Sequence, residues 1–580
     1  MPLRVVIFSW GAGNQQYGLG QDARIMESMI RTLAPTTEVA HKDPHAFVGR
    51  GKPIPADIHV YLEVPCRVAF AWARVNIVIP NAEWWYTRAW SWVAEAGALF
   101  WFRTRHCESL FEGIGIKGRY IGWSNNRGLV ASGSATVENK ALYVVGGSKH
   151  KKAAAYTIVA AWKPEWPRLT VLCAEAPPAD ASSCVEWRRE YLSDSAKKQL
   201  QATSRYHVVA SQAEGFGYTM IEAVSHNALI LRTAIPVYEE VWGGLLGSHG
   251  RIAMDPVDLS GCEMLDPPRS FSAEAVVAAM TSLLKQKPRK SSVAKEGLLV
   301  RSEQFRKLFA SAWTAATTAV ATGSLRVPRG PVSPTALPVM GVVTLVHNRP
   351  RWFSHAVRNI ETSDWPREKL VWVVVDDGEG VGRVDNQIER AITGLPNLQI
   401  EYVSLGKKTP IGDKRNRGVA AAIARRADVS VLAFMDDDDH YPAYSLALRY
   451  AWLHASGHDC VYASTLPMYD ITRYISAINV PPLTLSPCER VSEATLCFKR
   501  GFWETRHFPD TISVAEGEEF LRGREGSGVE IPPDGVIVSF LHGKNFTSRR
   551  VPEDKEPNGC HYGFSDEYFT MVSQLAGLVV

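Results

Sequence analysis

A chain of 580 residues far exceeds one domain of ~100–200 residues, so several structural units are expected, each able to bury its own core. Its 46% hydrophobic and 21% charged residues are those of globular material and exclude a largely disordered chain. A formal charge of +4 is small for this length, supports neither a basic nucleic-acid face nor a membrane-binding surface, and leaves phosphate-bearing small molecules open as partners.

In chain order, the first element is the strand-like run Val5–Phe8. It begins without the apolar core and cleavage region of a signal peptide, and no apolar run approaches the ~20 residues of a membrane span. A soluble, cytoplasmic protein is therefore expected. The glycine-rich stretch Gly11–Gly20, with Gly18 and Gly20 at its end, leads into an amphipathic helix over Asp22–Leu33. Strands follow at Ile58–Leu62 and Val75–Ile79, and Asn81-Ala82-Glu83-Trp84-Trp85 comes directly after the second. Trp84 or Trp85 is a candidate for stacking on a sugar face, against the ordinary alternative of a core aromatic.

A second cycle runs from the strand Ala141–Val145 through a helix over Ala153–Trp162 to strands at Leu169–Cys173, His207–Ala210 and Ala228–Leu231. Strands alternating with helices predict open, mostly parallel sheets covered by helices, here two units in tandem. The nine cysteines are scattered with no CxxC pair, which argues against a disulfide framework or a zinc site. From Thr322 to Pro338 four prolines with Gly and Ser carry no periodicity and read as a linker. A fresh pattern then begins, with strands at Val339–Val346, Leu370–Val375 and Val429–Met435 and helices at Trp352–Thr362 and Lys414–Arg425.

The chemistry concentrates in this last part. The apolar strand Val429–Met435 runs into Asp436-Asp437-Asp438-Asp439-His440, and no Lys or Arg lies within the run. Four adjacent carboxylates require a nearby cation. A second strand ends in Asp376-Asp377-Gly378, and carboxylates at two neighbouring strand ends suit different parts of one nucleotide. Between them, Gly412-Asp413-Lys414-Arg415-Asn416 opens a helix whose amides and cations suit a diphosphate. Together with Thr344-Leu345-Val346-His347-Asn348-Arg349-Pro350, these runs resemble the GT-A fold of family 2 glycosyltransferases over about Val339–Lys544.

That resemblance implies that Asp376 or Asp377 contacts the base, Asp436 the ribose, and Asp438 and Asp439 an Mn2+ or Mg2+ on the donor diphosphate. It also implies donor-binding roles for Lys414 and Arg415. His542, after the strand-like Val536–Leu541, resembles the late metal ligand of such enzymes. An inverting transfer needs a carboxylate base. Ala515-Glu516-Gly517-Glu518-Glu519 resembles the element that carries it, with Gly517 where an Asp is expected, so Glu516 is the first candidate and Glu519 the second.

In the N-terminal half, Glu214-Gly215-Phe216-Gly217 opens a helix after a strand, and Glu222 follows Glu214 with seven residues between them. Glycines there bring backbone amides close to a phosphate, and Glu222 can accept from ribose hydroxyls. This resembles the Glu-x7-Glu motif of GT-B glycosyltransferases such as family 4. Ser148, Lys149, Lys151 and Lys152 fall where those enzymes hold the diphosphate, while Gly18, Gly20 and Trp84 lie on the acceptor side.

The expected architecture is α/β throughout: two Rossmann-like domains of GT-B type at 1–138 and 139–321, a linker at 322–338, and a GT-A domain at 339–580. The expected function is a bifunctional glycosyltransferase using UDP- or GDP-sugars, with a metal-independent GT-B half and a metal-dependent inverting GT-A half. The alternative is one active GT-A enzyme carrying a catalytically silent sugar- or nucleotide-binding GT-B module. The acceptor is a glycan or another hydroxyl. Nucleic acid has no support from charge, although modified DNA is not excluded, and tandem enzymes of this mixed kind resemble those of large viruses and bacterial surface-glycan clusters. A third reading, a nucleotide-sugar-processing oxidoreductase, is weak because Gly11-Ala12-Gly13-Asn14-Gln15-Gln16 does not complete GxGxxG and no acidic residue closes the next strand in the expected manner.

Overall fold

A computed structural model describes residues 2–9, 18–43, 56–63, 65–70, 72–125, 136–178, 182–190, 192–257, 259, 262–288, 291–322, 336–482, 484–543, 545, 551 and 564–578. The chain divides into two compact units, one of Met1–Asp43, Ala56–Pro65 and Val75–Gly323, the other of Ser324–Val580 together with Cys66–Arg74. Among the described residues, no helix is long and apolar enough to cross a membrane. Most of the proline-rich stretch 322–338, and Gly11–Tyr17 of the first glycine-rich stretch, lie outside the described residues.

The first unit holds two sheets. β1 (Arg4–Phe8), β2 (Glu38–Lys42), β3 (Ala56–Leu62), β4 (Ala73–Ile79), β5 (Leu99–Phe102) and β6 (Arg119–Tyr120) lie in the order β2-β1-β3-β4-β5-β6. Alternate residues Val5, Ile7, Ile58, Val60, Ile77 and Ile79 share a core with Ala23, Met26 and Ile30 of the helix Gly18–Leu33. That spacing of apolar positions is what the two periodicities of strand and helix require. Gly18 and Gly20 fall in the first turn of this helix and not in the preceding loop, because the helix starts four residues earlier than its apolar pattern suggests.

β7 (Glu138–Val144), β8 (Arg168–Leu172), β9 (Val185–Arg188), β10 (Ser204–Val209), β11 (Leu229–Thr233) and β12 (Arg251–Ile252) form the second sheet. Its order is β12-β11-β10-β7-β8-β9, and each of its pairs is parallel.

The second unit is built on β13 (Val339–Val346), β14 (Leu370–Asp376), β15 (Gln399–Ser404), β16 (Val429–Phe434), β17 (Cys460–Tyr462), β20 (Cys497–Lys499) and β21 (Gly528–Glu530), with β18 (Leu466–Asp470), β19 (Ile475–Asn479) and β22 (Ser539–Leu541) in a small side sheet. The main order is β15-β14-β13-β16-β20-β17-β21; β13–β16 are parallel to their neighbours among themselves, and β20 runs antiparallel to β16 and β17. β14 reads Leu-Val-Trp-Val-Val-Val-Asp and is buried along its whole length. A β-branched run covered on both faces is what a central parallel strand demands. The helix Ile411–Arg425 packs on it closely enough that a methyl group on Gly418 would meet the side chains of Val343 and Val375.

This order corrects one expectation. The acidic ends of β14 and β16 are not neighbours, because β13 runs between them, in register Val346↔Asp376 on one side and Val343↔Phe434 on the other. The loop leaving β13 therefore lies between the two carboxylate groups. In the same unit Trp72 meets Trp452 edge to face at 5.0 Å within the core.

Candidate functional site

At the carboxyl end of β14 the two aspartates do different work. Asp376 accepts from the amides of Gly378 (2.7 Å) and Val384 (3.0 Å) and from the Tyr402 hydroxyl (2.8 Å), so its carboxylate shapes the turn. Asp377 accepts from Lys414 Nζ at 2.5 Å, from the Thr409 amide at 2.9 Å, and lies 3.0 Å from His347 Nδ1. Burial lowers the Lys414 pKa, and Asp377 opposes that shift. Arg415 does not accompany Lys414. One residue on, about 100° around the helix, its Nε donates to Glu516 Oε1 at 2.8 Å and its guanidinium lies 4.3 Å from the centre of the Phe434 ring.

The aspartate run beyond β16 is divided just as sharply. The Asp436 carboxylate has no hydrogen bond among the described residues, while Arg415, Arg349 and Glu516 all act on it electrostatically. Asp437 and Asp438 clamp one guanidinium between them: Arg349 Nη2 donates to Asp437 Oδ1 at 2.5 Å and Nη1 to Asp438 Oδ2. His542 Nε2 reaches the same Asp438 oxygen at 3.0 Å. Asp439 turns away, accepting the Phe540 amide at 3.0 Å and so fastening β22. Burial raises Asp437 and Asp439, whereas for Asp438 burial is outweighed by Arg349 and His542 and its pKa falls.

Arg349 thus supplies a cation that the composition of the run itself did not show. It was legible only as a residue of the β13 loop, whose position over β16 depends on strand order. Of the three sequence-derived metal candidates, the structure brings together Asp438 and His542 and not Asp439. Among the described residues no three His, Cys, Asp or Glu side chains form a metal-holding group. One carboxylate oxygen and one imidazole nitrogen 3.0 Å apart, beside Asp437 Oδ2, which is buried and without a partner among the described residues, fit an ion that brings further ligands with it. Mg2+ on a diphosphate is bound in that manner, through one or two carboxylates and the phosphates.

The base candidates also separate. Glu516 is buried against Arg415 and opens a short helix after Ala515, which adopts a left-handed φ of 59°. Glu519 faces outward and pairs with Arg522 at 2.9 Å. Gly517 has a local reason: a side chain there would run into Glu493, whose Oε1 accepts the Gly517 amide at 3.2 Å. The carboxylate expected at 517 is thus matched by one arriving from 493.

In the first unit, the Glu214–Glu222 motif faces the protein's own side chains. Gly215 packs against the Asn81 amide and Gly217, at φ 91°, against the Tyr238 ring, with Phe216 buried between them. Glu214 pairs with Lys151 at 3.2 Å, and Glu222 accepts from Gln201 Nε2 at 2.5 Å. Lys152 is held by Glu175 at 2.5 Å; Ser148 precedes the helix Lys149–Ala160, and Lys149 is exposed. Trp84 lies 5.2 Å from the His150 ring, whereas Trp85 is fully buried among Trp90, Phe100 and Phe111.

Asn81 belongs to a network that sequence reading missed. Its Nδ2 donates to Glu63 Oε2 at 2.6 Å and its Oδ1 accepts from Arg103, which also donates to Asp22 at 2.8 Å. Asp22 in turn accepts from the Tyr218 hydroxyl, and Tyr218 from Trp123 Nε1 at 2.8 Å. Backbone bonds from Thr87 to Glu263 (3.0 Å), Leu265 to Trp85 (3.0 Å) and Asp266 to Ala82 (3.2 Å) close the same region.

Burial raises the Glu63 pKa from 4.5 to about 7, against the lowering by Asn81 and Arg103 and with Asp22 adding to the rise. A carboxyl shifted this way keeps its proton in the folded state while the unfolded chain has lost it, so its contribution is present below pH 4.5 and is lost as pH climbs through about 7. Glu63→Gln, which can still accept from Asn81, is expected to gain stability over the parent progressively from pH 5 to pH 8, by roughly 2–3 kcal/mol at the upper end. Unfolding curves at the two pH values check this; a difference that does not change with pH refutes it.

No protein-family model matches the chain, and a search of curated proteins gives no match. Solved structures that match it include the mannosyltransferase PcManGT from Pyrobaculum calidifontis in complex with GDP-Man and Mn2+, at 20% identity over 36% of this chain and 58% of that one, with a TM-score of 0.29. S. aureus TarS 1–349 in complex with UDP matches at 15% identity over 35% of this chain and 60% of that one, TM-score 0.29. The GtfA/B complex matches at 15% identity over 46% and 58%, TM-score 0.32. The chain spans about three fifths of the length of these structures.

Proposed function

We propose that the second unit is a GT-A glycosyltransferase of the family 2 kind, which transfers a sugar with inversion from a UDP- or GDP-sugar to a hydroxyl of a glycan or other acceptor. The observation that carries this reading is the edge formed by β13, β14 and β16, which carries the pairs Asp377–Lys414, Asp438–His542 and Glu516–Arg415 and an Asp436 carboxylate that no described residue hydrogen-bonds and on which Arg415, Asp438, Arg349 and Glu516 act electrostatically. Polar groups left available at the carboxyl edge of an open α/β sheet are where such folds bind ligands. Asp438 and His542 would hold Mn2+ or Mg2+, which supplies charge neutralisation for a leaving diphosphate. Asp377 and Lys414 serve the nucleotide, Asp436 the ribose, and Glu516 takes the acceptor proton.

For the first unit, read as two Rossmann-like domains at 1–138 and 139–321 joined through 322–338 to the transferase at 339–580, the geometry favours a catalytically silent module of GT-B type. Asn81 and Tyr238 fill the space beside Gly215 and Gly217 that a donor phosphate requires in the bifunctional reading. Titrating the full chain with a panel of UDP- and GDP-sugars, with Mn2+ or Mg2+ and with chelator, separates the two. One metal-dependent site per chain, indifferent to Glu222→Ala, is expected. A second site that survives chelation, is lost in Glu222→Ala and turns over its donor would make the protein bifunctional, and no binding at all would remove the transferase reading.

A further inference from the structure

Arg349 stands where a divalent cation is called for, and the way it is held says how it leaves. Asn348, at a left-handed φ of 52°, anchors the loop after β13 by accepting the Glu379 amide at 2.9 Å. Pro350 follows Arg349 and restricts its backbone to extended conformations. The backbone is thus fixed, and the head group depends on its ion pairs. Among the described residues its Nε is buried without a hydrogen-bond partner, and the guanidinium is retained by Asp437 Oδ1 and Asp438 Oδ2 alone. About a quarter of the side chain, 23%, remains exposed.

Resting on the reading of this edge as the donor site, we propose that Arg349 is a resident counter-cation that competes with the divalent ion. In the donor-free protein it neutralises the Asp437–Asp438 pair. When a metal–diphosphate arrives, Arg349 gives up Asp438 and its planar fork passes to the diphosphate oxygens, for which it is geometrically suited. The exchange couples metal binding to donor binding: the ion alone must displace a bidentate guanidinium with nowhere to put it, whereas the ion on a diphosphate brings the replacement partner. Asp437 Oδ2, buried and without a partner among the described residues, keeps the acidic pair short of full satisfaction in the meantime.

The test uses the full chain and Mn2+ alone, with free Mn2+ read by electron paramagnetic resonance. R349Q is expected to bind Mn2+ at least about tenfold more tightly than the parent, since a positive charge in contact with the ion's ligands has been removed. Its thermal midpoint without metal should fall, and Mn2+ should raise that midpoint by more than it raises the parent's. R349K, which cannot span both carboxylates, is expected to lie between the two and carries the test if R349Q does not fold. Unchanged Mn2+ affinity in a folded variant overturns the exchange while leaving the metal assignment intact. Absence of Mn2+ binding by parent and variants, with or without a nucleoside diphosphate, overturns both.

Discussion

Asp438→Ala is expected to weaken metal-dependent donor binding by at least about a hundredfold, since losing even the outer partners of a metal ligand typically costs 10–100-fold. Asp438 is the aspartate of the run whose pKa is pushed down, burial being outweighed by Arg349 and His542, so its charged form is the one the surroundings favour. Its Oδ2 is also the atom on which Arg349 and His542 converge. Removing it leaves His542 without its carboxylate partner and Arg349 with Asp437 alone. Asp439→Ala is a different lesion. Its carboxylate secures the Phe540 amide at 3.0 Å, and the adjoining His440 exchanges backbone bonds with Val538. That variant is expected to lose stability more than affinity. Calorimetry of both variants with a nucleotide sugar, in the presence of Mn2+ and of chelator, decides the matter. Equal donor affinity in the parent and in Asp438→Ala would show that this carboxylate does not serve the ion.

What the sequence disclosed and what it hid divide along physical lines. β13, β14 and β16 were readable because apolar runs buried along nearly their whole length have few other solutions, and β13 is found over the residues expected, Val339–Val346. β2 and β15 were not readable: Glu-Val-Ala-His-Lys and Gln-Ile-Glu-Tyr-Val-Ser are edge strands with mixed exposure, and their pairing partners, not their own patterns, make them strands. The Gly-Phe-Gly turn was visible, but its occupant was not. A glycine announces only that something comes close to its Cα, and in sequence an approaching phosphate cannot be told from the Asn81 amide or the Tyr238 ring. Lys414 and Arg415 looked like a pair because they are adjacent, yet adjacent helical residues face different ways and these two serve Asp377 and Glu516 separately. Arg349 was hidden by topology, since only the placement of β13 between the two acidic strands brings it over the aspartates.

Glu516→Gln is expected to lower the turnover of sugar transfer by about 10²–10⁴-fold, the range over which a positioned general base contributes, with little change in donor affinity. Glutamine preserves the volume of the buried side chain and can still accept from Arg415 Nε through its amide oxygen, so the 2.8 Å contact that fixes the start of the short helix is kept. What is removed is the proton-accepting capacity that the proposed transferase reading gives to Glu516. Arg415 contributes by holding one carboxylate oxygen, Oε1, in place. The second oxygen is the one left for the hydroxyl. Glu519→Gln supplies the contrast, because Glu519, 44% open to solvent, pairs with Arg522, and no hydrogen bond or ion pair among the described residues links it to Asp436. Its turnover should stay within about twofold of the parent, as surface ion pairs contribute little. Rates measured with the sugar nucleotide that binds the full chain distinguish the two. If Glu516→Gln turns over like the parent while Glu519→Gln does not, the base is Glu519 and the loop from 509 to 519 must rearrange on substrate binding to bring it in.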